Sequence, residues 1–119
     1  MKLQLALDDI TLAAALALVE DVRTYVDIIE VGTPFLYAEG LGAVRELRRR
    51  FPEKEILADM KIMDAGEHET RLALQAGADY VTVLGVTDIL TVKGCLAVAA
   101  EFGKTIVVGP GMSRQAGVL

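Results

Sequence analysis

Five short apolar runs recur along the chain at intervals of about 25 residues, beginning near 3, 26, 56, 80 and 105. They cover residues 3–7, 26–31, 56–60, 80–84 and 105–108 and consist almost entirely of Val, Ile, Leu and Ala. Strands of a parallel sheet read in this way, because both of their faces are covered. The stretches between the runs have helical character, so a strand-plus-helix unit repeats. Such alternation implies right-handed crossovers and a parallel sheet. Helices are predicted over about 12–22, capped by Thr11, and over 41–50, 66–75 and 88–101, with Gly77 and Gly103 closing the last two. Pro34 and Gly40 flank a loop or short helical turn. Two architectures meet this pattern: an open doubly wound sheet, or part of a (β/α)8 barrel.

The chain has 119 residues, 53% apolar and 24% charged, which fits one globular domain. With 5% aromatics and no Trp, the core must be aliphatic. A net charge of -5 argues against sequence-independent nucleic-acid binding, which needs a cationic face. The one basic run, Arg45 to Arg50, reads as a solvated helical face. Cys95 is the only cysteine and reads as a small buried thiol. No apolar run approaches the ~20 residues of a membrane span. Met1-Lys2-Leu3-Gln4 enters a strand pattern without a signal-peptide layout, so a cytoplasmic location is expected.

Polar residues separate the two architectures. Asp8, Glu30, Asp59 with Lys61, and Gly85-Val86-Thr87 all fall at or just beyond the carboxyl ends of predicted strands. That edge carries the active site in barrels and open sheets alike. Neither a Gly-x-Gly-x-x-Gly after the first strand nor a phosphate-binding Gly-Lys-Ser/Thr loop is present, which disfavours a nucleotide-binding sheet.

Residues 59 to 64, Asp-Met-Lys-Ile-Met-Asp, follow the apolar run directly. Strand alternation points Asp59 and Lys61 to the same face. Desolvating such groups is costly, so gathering them at a strand end suggests chemistry. Glu30, embedded among Ile28, Ile29 and Val31, allows two readings: a structural ion pair with Lys61, or a hard-cation ligand together with Asp59. Asp8 and Asp64 could equally be helix-capping acids, and Lys61 a simple counter-ion. His68, the only histidine, sits between Glu67 and Glu69 and reads as solvent-facing.

Three segments carry a resemblance: residues 3–8 (LQLALD), 27–34 (DIIEVGTP) and 57–66 (LADMKIMDAG). They resemble the orotidine 5'-phosphate decarboxylase superfamily. Residues 76–88 (AGADYVTVLGVTD) narrow the likeness to 3-hexulose-6-phosphate synthase and its close relative 3-keto-L-gulonate-6-phosphate decarboxylase. The likeness runs from residue 1 to about 108. It implies a (β/α)8 barrel with its sites at a homodimer interface, and Mg²⁺ held by Glu30 and Asp59. It further implies that Asp8 contacts substrate hydroxyls, that Lys61 stabilises an enediolate, and that Asp64 reaches the partner's site. Gly85 and Thr87 would join substrate binding, and their loop favours the synthase. The substrate would be a sugar phosphate.

A complete barrel needs eight strands and about 250 residues. Five strands are legible here, so the expected fold is α/β, resembling the first half of a (β/α)8 barrel over 1–108 with a Gly-rich divergent tail over 109–119. In that tail Gly109-Pro110-Gly111 and Arg114 could form an anion nest, or the end could be unstructured. Three functions stay open. They are a synthase-type aldolase joining formaldehyde to ribulose 5-phosphate, the decarboxylase, and an inert half-barrel that self-associates.

Overall fold

The computed structural model describes residues 1–110; the tail from Gly111 onward, with Arg114 and the anion nest considered for it, lies outside the described residues. The elements run β1 (Gln4–Leu7), α1 (Leu12–Val22), β2 (Ile28–Val31), α2 (Thr33–Glu39), α3 (Gly42–Arg50), β3 (Glu55–Ile62), α4 (Gly66–Ala76), β4 (Tyr80–Leu84), α5 (Ile89–Phe102) and β5 (Thr105–Gly109). All four strand pairings are parallel, and the order in space is the order in sequence. Without a reversal of strand order there is no switch point, so right-handed crossovers keep every helix on one face. The doubly wound alternative is thereby excluded, and the sheet has the winding of half a barrel.

Burial follows from that winding. On the helix-covered face Leu7, Ile29, Val31, Ile56, Ala58, Val81 and Val83 are buried. The opposite face carries Gln4, Ala6, Ile28, Glu30, Glu55, Tyr80, Thr82 and Val107, all exposed or half-buried. Leu57 and Asp59, on central β3, are the buried exceptions there. Phe35, Leu47 and Phe51 are fully buried between the helices and the sheet. Each is worth roughly 1.5–3 kcal/mol of transfer free energy.

Local signals account for the element ends. Thr11 caps α1, its hydroxyl accepting the Ala14 N–H at 3.2 Å. Gly77 closes α4 at φ 116°, a backbone region open to glycine. Two elements differ from expectation. Residues 33–39 form a full helix, because Pro34 lies in its first turn, where no N–H is required. Strand β3 also runs on through the charged segment to Ile62 instead of ending at Met60.

At the amino-terminal edge, Arg48 is not the solvated residue expected. It donates to the carbonyls of Gly77 (2.9 Å) and Lys54 (2.8 Å) and pairs with Asp79. Asp79 also accepts from Lys104 Nζ at 2.7 Å and from the Ile56 N–H at 2.9 Å. Burial pushes the Asp79 carboxyl up, but Lys104, the Ile56 N–H and Arg48 outweigh it and hold it below the usual carboxylate range. This lock joins α3, β3, β4 and β5. Cys95 is buried as expected, its Sγ 3.6 Å from the Gly66 carbonyl oxygen.

Candidate active site

The carboxyl rim is organised by a bulge in β3. Ala58 pairs with Val81 and Ile62 with Val83, so Asp59, Met60 and Lys61 oppose the single residue Thr82. Lys61 takes φ 48°, a left-handed backbone that costs a non-glycine residue about 1 kcal/mol. The bulge gathers two side chains of one face, Asp59 and Lys61, around one cross-strand position.

Asp59 is 8% exposed and fully partnered. Its Oδ2 pairs with the Lys61 ammonium and its Oδ1 accepts from the Thr82 hydroxyl at 2.8 Å. Thr33 Oγ1 stands 2.6 Å from the Asp59 carbonyl oxygen and 3.1 Å from Oδ2, and accepts from Lys61 Nζ at 3.0 Å. Burial pushes the Asp59 carboxyl up, and hydrogen bonds from Lys61, Thr82 and Thr33 more than reverse it, so it stays ionised at neutral pH.

Glu30 lies on the same face. It pairs in register with Leu57, and Asp59 is two residues farther along β3. Strand spacing and rise put the two Cα atoms about 8 Å apart. Glu30 accepts from Gln4 Nε2 at 2.8 Å. The Glu30–Lys61 ion pair, open from the sequence, is not formed: the bulge aims the ammonium at Asp59 on its own strand. Asp8 ends β1 with its carboxylate lying across Gly32, where a Cβ would overlap Asp8 Oδ1 and stand 2.6 Å from the Leu7 carbonyl oxygen. Asp8 is thus not a helix cap, a role Thr11 fills. Nor does Asp64 cap α4, whose N-cap is Ala65, at φ 49°, with no side-chain cap bond.

Asp59, Lys61 and Asp64 line one cavity of about 450 Å³, together with Thr33, Met60 and Glu69. Burial and the nearby Asp64 raise the Glu69 carboxyl above its ordinary value. Asp8 and Glu30 flank the rim outside this cavity. Gly85 and Thr87 are also outside it: the Gly85 N–H donates to the Gly109 carbonyl at 2.7 Å and the Thr87 hydroxyl to that of Met63. The exposed His68 faces away from the cavity lining.

The donor set suits a hard divalent cation such as Mg²⁺, which takes one or two carboxylates with waters and substrate oxygens. Asp59 accepts three side-chain donors on a carboxylate with about four lone-pair directions. Among the described residues no group of three or more His, Cys, Asp or Glu converges as a protein-only cage. The sequence did not mark Thr33, Thr82 or Glu69. Register was the available signal, since Thr82 shares a face with Tyr80 and Leu84 directly beside Asp59.

Comparison with known proteins adds to this geometry. The sequence profile described as "Orotidine 5'-phosphate decarboxylase / HUMPS family" matches residues 1–114. The 3-hexulose-6-phosphate synthase of Bacillus subtilis (strain 168) is 49% identical over 108 residues, covering 91% of this chain and 51% of the relative. The 1.65 Å crystal structure of 3-hexulose-6-phosphate synthase from Salmonella typhimurium superposes with a TM-score of 0.89 at 56% identity, over 91% of this chain and 51% of that one. KGPDC from Streptococcus mutans, in complex with a sugar phosphate, superposes with a TM-score of 0.84 at 34% identity, over 98% of this chain and 56% of that one. The chain spans about half the length of the curated relatives it matches.

Proposed function

Because the chain belongs to the orotidine 5'-phosphate decarboxylase / HUMPS family, we propose that its rim is the first half of a Mg²⁺-dependent lyase site of the 3-hexulose-6-phosphate synthase type. The carrying observation is the Asp59–Lys61 pair, desolvated on one side and held by two threonine hydroxyls on the face shared with Glu30. Ribulose 5-phosphate would lose a proton to give an enediolate, whose carbon would then attack formaldehyde. The Lys61 ammonium stands ready to stabilise the developing oxyanion without itself transferring a proton. Asp8 would accept hydrogen bonds from substrate hydroxyls. Glu30 and Asp59 would hold the cation, which when bound supplies Lewis-acid polarisation of the substrate oxygens. Asp64, exposed at the mouth of the cavity, would reach the site of a second copy. Synthase relatives favour this chemistry over decarboxylation, and the ligand complex of KGPDC supports a sugar-phosphate substrate.

The test is incubation with Mg²⁺, ribulose 5-phosphate and formaldehyde, following formaldehyde loss, beside 3-keto-L-gulonate 6-phosphate, following CO₂ release. Formaldehyde consumption dependent on Lys61 is the expected result. Release of CO₂ without formaldehyde consumption would replace the synthase with the decarboxylase. A second reading, an inert half-barrel that self-associates, is favoured by the helix-free sheet face. Under that reading, millimolar Mg²⁺ and sugar phosphate give no calorimetric binding while the solution mass exceeds 12.8 kDa.

A further inference from the structure

We propose that Thr82 is the positioning residue of the Asp59–Lys61 pair, its one hydroxyl setting both the acid and the backbone from which the ammonium projects. A regular parallel ladder would satisfy the backbone of β3 with main-chain partners from β4. The bulge interrupts that ladder between Ala58 and Ile62. At the gap the Thr82 side chain takes over. Its Oγ1 accepts the Lys61 N–H at 2.9 Å and donates its hydrogen to Asp59 Oδ1 at 2.8 Å. A hydroxyl has one donor and two acceptor sites, so both bonds form at once.

This arrangement accounts for the left-handed Lys61. A lysine at φ 48° persists only where its surroundings over-determine it. Thr82 holds the backbone N–H of Lys61, while Thr33 and Asp59 hold its Nζ. The two ends of the residue are thus fixed from β4 and α2, and Asp59 links them. Thr82 does not line the cavity beside Asp59 and Lys61. Its action is therefore exerted through the pair. The proposal takes its chemical meaning from the function put forward above, but its geometry does not depend on turnover.

The experiment compares Thr82→Val, which removes the hydroxyl and keeps the branched shape, with Thr82→Ser, which keeps the hydroxyl. Valine suits the strand, where Val81 and Val83 flank the position. Two readouts need no activity. Amide hydrogen exchange at Lys61 reports the backbone anchor. Acylation of Lys61 by a water-soluble ester, measured by peptide mass spectrometry against Lys2 and Lys93, reports where the ammonium is held. Thr82→Val should lose Lys61 amide protection and raise relative Lys61 acylation about threefold to tenfold, the equivalent of one hydrogen bond. Thr82→Ser should match the parent within about twofold. Where the chain turns over, Thr82→Val should lower kcat with little change in KM. Unchanged Lys61 acylation in Thr82→Val, or a serine variant that behaves like valine, overturns the proposal. Should valine prevent folding, Thr82→Ala is read by the same criteria. Absent turnover with these readouts as expected would count against the lyase reading alone.

Discussion

Gly32→Ala perturbs fold and site through one methyl group. Gly32 ends β2 and caps α2 at φ −66°, so alanine meets no dihedral penalty. Its Cβ would nevertheless stand 2.6 Å from the Leu7 carbonyl oxygen and overlap Asp8 Oδ1. Asp8 is exposed and can rotate away, but Leu7 is 2% exposed and its carbonyl accepts the Gly32 N–H at 2.8 Å. The backbone contact therefore sets the penalty. Overpacking of this kind costs about 1–3 kcal/mol, and alanine is a poorer cap than glycine by about 0.5–1 kcal/mol. A total of about 2–4 kcal/mol lowers Tm by roughly 10 °C in a domain of this size. Gly42→Ala is the control, since nothing lies within 4 Å of its added Cβ. Reduced unfolded-state entropy should there raise stability by about 0.4–1 kcal/mol. Thermal and urea unfolding of both variants gives the comparison, and adding Asp8→Ala to Gly32→Ala separates the two contacts. The reasoning is refuted if Gly32→Ala melts with the parent, or if removing Asp8 restores full stability.

The Asp79 carboxyl is held below its ordinary value, so its stabilisation is present above the unfolded pKa of about 3.9 and lost as pH falls through the folded one. Asp79→Asn should cost about 1–3 kcal/mol at pH 7 by urea unfolding, and its deficit should narrow below about pH 4; a deficit independent of pH would rule this out. Asp59→Asn should weaken Mg²⁺ binding at least tenfold by calorimetry while the circular dichroism spectrum is retained; unchanged affinity would show the cation assignment to be wrong. Gly66→Ala would drive a methyl group into the Thr91 carbonyl oxygen and to 3.0 Å from Cys95 Sγ, so a loss of about 1–3 kcal/mol is expected, and parent-like unfolding would contradict the close α4–α5 approach.

The winding of the chain was legible because apolar runs of strand length alternate with capped helices. Strand β4 and the Thr11 cap stand where the pattern put them. Misreadings fell where two signals conflicted. Asp59 and Lys61 look like the end of a strand because charge interrupts the apolar run, yet the bulge carries β3 through them. Gly32, Pro34 and Gly40 look like loop punctuation, although a proline in a first turn leaves a helix intact. Among the site residues, the acids and Lys61 stood out because a charge near a buried strand demands explanation. Thr33 and Thr82 did not, because a threonine in or beside a strand is ordinary and only the three-dimensional register reveals what its hydroxyl holds.

Every ladder in this sheet joins strands that are consecutive along the chain. No pairing has to wait for a distant segment, so loop-closure entropy is met in small, equal steps and contact order stays low for a parallel sheet. A nascent chain leaving the ribosome could add each new strand to the edge left by the one before it, growing its core from the amino terminus outward.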